Sequence, residues 1–223
     1  MSETVLSIII VNFNTKEYLE ACLNSLEKAY SKEIKNGVYE ILVVDNASSD
    51  ESAAMVGAKF PAALIISQKE NTGFAAANNV GIKKSKGKHV LLLNPDTVVD
   101  GSVLPRIISM FDDQSVGIAT CKVLLKSGAL DDACHRGFPT PWRAFCQFSG
   151  LSKLFPQSLF FNGYHLGYQD MDRVHEIDAC VGAFMMIRRS VGEEISWLDE
   201  DYFWYGEDLD FCFRVKEKGF KVL

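Results

Sequence analysis

Three motifs that mark common enzyme classes are missing from this 223-residue chain. It has no G-x-G-x-x-G run, so a dinucleotide-dependent dehydrogenase has no support, and no G-x-x-x-x-G-K run, which excludes a P-loop enzyme. None of its six cysteines forms a C-x-x-C pair, and most lie among apolar neighbours, where a free thiol acts as a small core residue. We therefore expect a reduced, cytoplasmic setting.

Long apolar runs and a leader-like N-terminus are also lacking. No stretch approaches the roughly 20 apolar residues needed to cross a bilayer, and Met1–Thr4 lacks the basic and apolar regions of a secretory signal. The sequence predicts no membrane span, and a peripheral contact with the inner face of a membrane stays open. The four histidines have no metal-ligand spacing and are interpreted as structural or surface residues: His89, His135, His165 and His175.

Positive charge is in the minority, with 23 basic against 29 acidic residues and a formal net charge of -6. A general polyanion-binding surface is therefore not expected, so we predict no nucleic-acid partner, although a local basic site for a phosphate is compatible with this balance. Hydrophobic residues make up 48% of the chain, and its mean hydropathy is +0.03. Both values are typical of a soluble α/β chain long enough for a sizeable core.

Strand-like and helix-like segments alternate through about the first half of the chain. Short, β-branched apolar runs predict strands buried on both faces of a sheet, and apolar residues at helical spacing predict the helices between them. This alternation predicts a doubly wound parallel sheet, whose ligands bind at the carboxyl ends of the strands. The predicted strands are 5–11, 41–44, 64–67 and 90–93, and the predicted helices lie around 18–26, 50–60 and 74–84.

The pattern loosens beyond about Thr120. Residues 131–175 combine prolines, glycines and many aromatics without clear periodicity, which is typical of a long, partly ordered segment that faces substrate. Its aromatics could stack on sugar rings or only pack the loop. A strand is predicted again over 183–187 and a helix over 209–218. The chain ends within an apparent strand at 220–223, so we expect a truncated C-terminus.

Three polar clusters come directly after predicted strands: 12–14 after the first, 45–50 after the second and 94–97 after the fourth. Asp45 is poorly placed to cap a helix several residues later but well placed to accept hydrogen bonds from a base or ribose. Asp96, held behind a proline, could bind a divalent cation that bridges two phosphates, or could belong to a simple Asn-Pro-Asp turn. Helix capping explains the other polar residues of the second cluster equally well.

Two further segments carry candidate chemistry. Residues 71–79 lead through a glycine and small side chains into a helix, whose N-terminus favours an anion, although alanine-rich helices are usually only well packed. In 202–214, aromatics flank an acidic cluster at a helix start, where partial burial could raise the pKa of one carboxylate toward that of a general base. Helix capping by Glu207, Asp208 and Asp210 is the alternative, since the helix dipole favours it in any case.

Taken in order, these clusters resemble the inverting family 2 glycosyltransferases of GT-A fold, especially the bacterial rhamnosyltransferase-like branch. Any one segment is a weak signal, but six in the right order relative to the strands and helices are specific, and they cover nearly the whole chain. The similar segments are Ser7–Asn14, Val43–Asp50, Asn71–Phe74, Asn94–Asp96, Gly182–Ala183 and Gly206–Asp210.

The resemblance implies an α/β fold of GT-A type, with a Rossmann-like, mostly parallel central sheet flanked by helices. It implies one continuous domain, in which residues 1–120 form the donor-binding half and residues 121–223 the acceptor-side and catalytic-base half. It also implies a divalent cation, Mg²⁺ or Mn²⁺, as cofactor. Arg214 would lie near the donor phosphates or in an ion pair on the helix surface.

Carried over residue by residue, the resemblance makes Asp208 the catalytic base and Asp96 the metal ligand. The implied donor-binding residues are Asn12, Asn14, Asp45, Asn71, Gly73, Asn78 and Asp96, and the implied acceptor-side residues are Asp178, Gly182, Ala183 and Glu207.

Two departures from the family pattern stand out. The DxD-like motif reads Asn94–Pro95–Asp96, so a single carboxylate must bind the metal with help from pyrophosphate and water, or bind it more weakly. Many relatives also continue with a strand, a histidine that can reach the metal, and C-terminal helices.

The predicted function is the inverting transfer of a sugar, with rhamnose among the candidates, from a dTDP- or UDP-sugar to a hydroxyl of a saccharide or lipid-linked glycan. Such a reaction belongs to cell-wall or polysaccharide biosynthesis. A sugar nucleotidyltransferase is one alternative, but that class normally has a glycine-rich, basic phosphate loop where this chain has Asn12–Thr15. A non-catalytic nucleotide-sugar-binding domain is the other, and the single-carboxylate motif is in its favour.

Overall fold

The protein is described over residues 3–223 by a computed structural model. Its strands are β1 (Leu6–Asn12), β2 (Tyr39–Asp45), β3 (Ala63–Ser67), β4 (His89–Leu93), β5 (Val116–Ala119), β6 (Phe184–Arg188) and β7 (Lys221–Val222). They form one sheet in the order β3-β2-β1-β4-β6-β5-β7. Only β6 is antiparallel to its neighbours, β4 and β5, so the sheet of the described residues is mostly parallel, as the sequence predicts.

Helices cover both faces of this sheet. They are α1 (Lys16–Lys35), α2 (Ser52–Lys59), α3 (Phe74–Lys84), α4 (Val103–Met110), α5 (Pro141–Phe148), α6 (Leu151–Leu154), α7 (Arg189–Glu194) and α8 (Glu207–Glu217), with a 3₁₀ turn at Asp132–Cys134. Within residues 3–223, no helix is both long and apolar enough to pass through a lipid bilayer.

Alternation along β1 explains why the sheet has two cores. Ile8 and Ile10 point into one core, with α1, α2 and α4, whereas Ile9 points into the other, with α3, α7 and α8. All three side chains are fully buried, and burial of each contributes about 1.5–3 kcal/mol to stability. A strand buried on both faces is nearly continuously apolar, and in the run 5–11 the one polar side chain, Ser7, is buried with hydrogen bonds to Glu40 and Gly87.

The reversed strand β6 determines which residues reach the ligand edge of the sheet. Phe184, its first residue, pairs with Leu93, the last residue of β4. The backbone N–H of Asn94 donates to the carbonyl of Ala183 at 3.0 Å. Residues that precede β6 therefore lie at the same edge as residues that follow the parallel strands.

The predicted elements of the first half agree with the structure to within one or two residues at most ends, although α1 extends well beyond the predicted segment. The sequence analysis did not predict α4 to α7 or β5, whereas the apparent strand predicted at 220–223 corresponds to β7. Helix α5 lies within the segment 131–175 interpreted as loop. It is only eight residues long, shorter than the window in which helical periodicity is dependable.

Candidate active site

Asn12 and Asp45 lie side by side because they are register partners at the carboxyl ends of β1 and β2. The Asn12 amide donates from Nδ2 to Asp45 Oδ1 at 3.2 Å and to Ser48 Oγ at 3.0 Å. The second carboxylate oxygen, Oδ2, accepts the Ser48 N–H at 3.3 Å. Asp45 is buried, and since each of its oxygens accepts one long hydrogen bond, both keep capacity to accept another.

The turn after β1 is tied to the turn after β2. Asn14 has a φ of 54°, a left-handed conformation that asparagine tolerates better than most residues. Its N–H donates to Ser48 Oγ at 2.9 Å, and its Oδ1 accepts the Ser49 N–H at 2.8 Å. Thr15 Oγ1 donates to Asn12 Oδ1 at 2.6 Å, which orients the Asn12 amide. The two loops therefore form one hydrogen-bonded unit.

Asn46 extends this unit to the loop after β3. Its backbone N–H donates to the Asn12 carbonyl at 2.8 Å, while its side-chain Nδ2 donates to Asn71 Oδ1 at 2.8 Å. Its Oδ1 accepts the Thr72 N–H at 3.1 Å, and Nδ2 also approaches the Gly73 carbonyl. Five of the predicted donor residues thus share one network: Asn12, Asn14, Asp45, Asn71 and Gly73. Sequence reasoning did not single out Asn46, although its position beside Asp45 at a strand end was a signal for it.

The start of α3 is covered by the aromatic loop that precedes α8. Gly73 has a φ of 83°, and a Cβ there would lie 2.7 Å from the Phe203 carbonyl oxygen, so only glycine fits this close approach. Asn78, also predicted to bind donor, is buried and donates to the Phe74 carbonyl within its own helix. The neighbouring Asn79 holds the loop by donating to the Leu198 carbonyl at 2.8 Å.

Asp96 lies beyond the end of β4 and is exposed. Within the described chain, it has no hydrogen-bond or ion-pair partner, and residues 3–223 contain no cluster of three or more His, Cys, Asp or Glu that could hold a metal ion. A lone, free carboxylate at a sheet edge still fits a cation such as Mg²⁺, which takes one or two protein carboxylates and completes its shell with substrate phosphates and water. Asp96 can supply one such ligand.

Asp208 and Arg136 form a nearly buried ion pair at the N-terminus of α8. Arg136 Nη2 lies 2.6 Å from Asp208 Oδ2, and the two side chains are only 13% and 12% exposed. Burial by itself lowers the pKa of Arg136, but the charge of Asp208 outweighs it, so the pKa is raised and the guanidinium stays charged. Arg136 also points toward the Cys180 carbonyl at 3.5 Å. The sequence analysis missed Arg136, because no motif around residue 136 indicates that it pairs with Asp208.

Glu207 is the carboxylate of this cluster whose pKa is raised. Burial is the main cause, and the charge of Asp208 adds to it while Arg136 opposes it. Its Oε2 is buried without a hydrogen-bond partner among the described residues. A group in this state holds its proton to higher pH than an exposed glutamate does, and only its protonated form can donate a hydrogen bond to a bound hydroxyl.

Asp178 is engaged by protein groups. It accepts the Phe138 N–H at 2.9 Å and an Arg143 hydrogen bond at 3.0 Å, and Lys216 lies 3.4 Å away. Although burial alone raises its pKa, these donors and charges hold the pKa below its ordinary value. In the structure, Asp178 therefore anchors the segment after Arg136, and its role on the acceptor side stays a prediction.

Gly182 and Arg214 bring neighbouring elements together at the site. A Cβ on Gly182 would lie 2.9 Å from the Phe74 ring, so this glycine lets the chain before β6 pass close to α3. Arg214 pairs with Asp210 at 2.7 Å and donates to the Ile195 and Trp197 carbonyls. Of the two placements open for Arg214 in the sequence, the structure shows the ion pair on the helix.

The family model for glycosyl transferase family 2 matches residues 7–196, which is most of the chain. The chain belongs to this family. It is 28% identical over 221 residues to the low-salt glycan biosynthesis hexosyltransferase Agl10 of Haloferax volcanii, covering 97% of this chain and 63% of that protein. It is 26% identical over 225 residues to the rhamnosyltransferase WbbL of Escherichia coli, covering 96% of this chain and 78% of that protein. The chain thus spans less than two thirds of Agl10.

Solved structures of glycosyltransferases share the fold. The mannosyltransferase PcManGT of Pyrobaculum calidifontis, in complex with GDP-Man and Mn²⁺, superimposes with a TM-score of 0.69 at 15% identity, over all of this chain and 55% of that one. TarS of S. aureus, residues 1–349, superimposes with a TM-score of 0.65 at 16% identity, over 99% of this chain and 58% of that one. These structures are GT-A glycosyltransferases, so the predicted fold class is confirmed.

Proposed function

We propose that this family 2 domain catalyses the inverting transfer of a sugar from a nucleoside-diphosphate sugar to a hydroxyl of a saccharide or lipid-linked glycan. The observation that carries the proposal is the polar network at the carboxyl ends of β1, β2 and β3, with Asp96 and Asp208 at the same edge of the sheet. Residues 1–120 supply the donor-binding half and residues 121–223 the acceptor and base half.

The nucleoside lies against Asp45 in this proposal. Its carboxylate has acceptor capacity left on both oxygens, which suits the ring N–H of uracil or thymine, and the Asn12 amide and Ser48 hold it in place. Structures of similar fold have been solved in complex with GDP-Man, UDP and UDP-GlcNAc, which supports a nucleoside-diphosphate donor without selecting the base. The names of Agl10 and WbbL support a hexose or rhamnose as the sugar.

Asp96 would hold a Mg²⁺ or Mn²⁺ ion beside the donor pyrophosphate through its single carboxylate. When bound, the cation neutralises negative charge on the departing nucleoside diphosphate. The Mn²⁺ in the PcManGT complex supports a divalent cation for this fold. The free, exposed state of the Asp96 carboxylate leaves it available for this role.

Asp208 takes the proton of the acceptor hydroxyl. The hydroxyl oxygen attacks the anomeric carbon from the face opposite the nucleoside diphosphate, the bond from that carbon to the phosphate oxygen breaks, and the configuration inverts. Glu207, whose pKa is raised by burial, can donate a hydrogen bond to an acceptor oxygen beside Asp208. Gly182 and Ala183 border the acceptor in this proposal, since Ala183 is hydrogen-bonded to Asn94 after β4 and Gly182 lies against Phe74 of α3.

A thermal-shift panel tests the proposal, since a ligand that binds only the folded chain raises its melting temperature. UDP-, dTDP- and GDP-sugars are compared with and without Mn²⁺. We expect one nucleotide class to stabilise the protein and Mn²⁺ to increase that shift. The Asp96→Asn variant should lose the Mn²⁺ increment and keep its own melting temperature, whereas Asp112→Asn, also a surface carboxylate, should keep both.

The product then separates transfer from binding alone. We expect nucleoside diphosphate to be released when an acceptor glycan is present. NMR of the product should show that the transferred sugar has the anomeric configuration opposite to that in the donor. Stabilisation by nucleotide without turnover, in a chain extended to the full length of its relatives, favours a non-catalytic binding domain. Retention of configuration rules out the proposed direct displacement.

A further inference from the structure

Residues 133–169 contain no aspartate or glutamate, although the chain as a whole has 29 acidic residues and a net charge of -6. The same stretch carries Arg136, Arg143 and Lys153. The two arginines are paired with Asp208 and Asp178, which lie outside the stretch, and Lys153 is exposed with no ion pair among the described residues. The stretch itself therefore contributes no negative charge, and the carboxylate of Asp178 beside it is paired with Arg143.

Helix α5 within this stretch turns its aromatic side chains toward solvent and a charged side chain toward the protein, the opposite of an ordinary surface helix. Cys146 is buried and Arg143 is turned toward Asp178, whereas Trp142, Phe145 and Phe148 recur every third residue on the outer face. Phe145 is 55% exposed and Phe148 is 91% exposed. Large aromatic side chains on the solvent face of a short helix gain nothing from the protein core, so they indicate a surface that is covered when the protein works.

The outer face of α5 continues into the chain after α6. Trp142 stacks on Phe145 with ring centroids 5.6 Å apart and meets Phe160 at 4.8 Å. Its indole N–H donates to the Phe160 carbonyl at 2.9 Å, which fixes the ring. We call this surface the aromatic face and define it by its exposed side chains: Trp142, Phe145, Phe148, Leu154, Leu159 and Phe160.

The aromatic face connects directly to the candidate active site. Arg136, at the start of the acid-free stretch, pairs with Asp208, and Arg143 of α5 pairs with Asp178. The Phe138 ring between them packs edge-on against Phe213 of α8 at 5.5 Å. These contacts hold α5, and with it the aromatic face, next to Asp208, the carboxylate proposed as the base.

We propose that the aromatic face docks on the surface of an anionic lipid bilayer. Tryptophan and phenylalanine side chains with a nearby lysine, and without carboxylates, match the chemistry of the boundary between headgroups and acyl chains. An anionic bilayer offers Lys153 the opposite charge, whereas self-association through the aromatic face would bring two lysine-bearing, acid-free surfaces together. Docking brings Asp208 toward acceptors carried in the bilayer, and this last step alone rests on the proposed function.

Vesicle co-sedimentation without donor or acceptor tests the docking by itself. The protein is incubated with vesicles of phosphatidylcholine alone, or of phosphatidylcholine and phosphatidylglycerol in a three-to-one ratio. We expect binding to the anionic vesicles, weaker binding to the neutral ones, and loss of at least about tenfold in partitioning for Phe148→Ser. Leu64→Ser, which removes a half-exposed leucine on the far edge strand β3, is the matched control and should bind normally.

A second pair of variants tests the charge. Lys153→Glu should weaken binding to anionic vesicles by about threefold to tenfold, whereas Lys28→Glu on α1 should change it little. Absence of sedimentation with wild type, equal binding by Phe148→Ser, or equal binding to neutral and anionic vesicles each overturns the proposal. So does a dimer, detected by light scattering, that Phe148→Ser dissociates. The nucleotide thermal shift, measured on the same variants, should be unchanged and reports on donor binding separately.

Discussion

Arg136 donates from Nη2 to Asp208 Oδ2 at 2.6 Å, across 72 positions of sequence. The other carboxylate oxygen, Oδ1, accepts the Leu209 N–H at 2.7 Å. Both oxygens of the proposed base are thus oriented by the protein. An acceptor hydroxyl must use a remaining lone pair, or displace the guanidinium, before its proton can move to Asp208.

Substitution of Asp208 should reduce turnover without removing the donor. Asp208→Asn keeps the size of the side chain but removes the base, so turnover should fall by about 10² or more while nucleotide-sugar affinity changes little. Turnover is measured below the melting temperature of the variant, because the change also affects folding. The Asp210→Asn variant, altered in the same helix turn, is the control. Near-normal turnover of Asp208→Asn would remove it from the base position.

Arg136 and Asp208 should also show a large coupling energy when the free energy of unfolding is measured in a double-mutant cycle. Removing one partner leaves a nearly buried charge, so Arg136→Met and Asp208→Asn should each destabilise by about 3 kcal/mol, and the double variant by clearly less than their sum. Chemical denaturation of the four proteins gives the coupling energy.

Lys59 and Glu20 form the matched control pair, because their charged atoms are also 2.6 Å apart but Lys59 is 55% exposed. Their coupling should be about 1 kcal/mol or less. Equal coupling for the two pairs contradicts the claim that burial makes the Arg136–Asp208 pair special.

Loss of the Asp45 carboxylate should weaken binding of a nucleoside diphosphate. Asp45→Asn keeps the shape of the buried side chain and replaces one acceptor oxygen with a donor, so affinity should fall by about 1–3 kcal/mol. Calorimetric titration measures this change, and circular dichroism checks the fold. An unchanged dissociation constant would place the nucleoside elsewhere.

Acid should destabilise the protein through His89 before most carboxylates titrate. Burial lowers the pKa of His89 from 6.5 to about 4, and its ring lies 4.6 Å from Phe111. The unfolded chain therefore binds a proton that the folded chain does not bind until lower pH. The contribution of neutral His89 to the free energy of unfolding is fully present above pH 6.5. It is lost as the pH falls toward about 4, and the loss amounts to at most about 3 kcal/mol.

Urea denaturation at several pH values in this window measures the effect. His89→Leu removes the titrating group, so its stability should depend less on pH than that of wild type. Parallel stability curves for the two proteins would show that His89 is not the group responsible.

The sequence by itself determined the central strands and the position of the polar residues. A strand covered on both faces is mostly apolar along its length, so β1, β2 and β4 are recognisable from local composition. Parallel strands share one carboxyl edge, so Asn12 and Asp45 could be expected together before any contact was known. Both inferences use only local pattern and the general geometry of sheets.

Only the tertiary structure decided the partners of these residues. The reversed direction of β6, the Arg136–Asp208 pair and the outward aromatic side chains of α5 depend on contacts between segments far apart in the chain. Composition near Phe148 cannot tell whether its ring is covered, and nothing near Arg136 names Asp208. Local sequence limits which conformations a segment prefers, whereas packing of the whole chain selects which side chains meet.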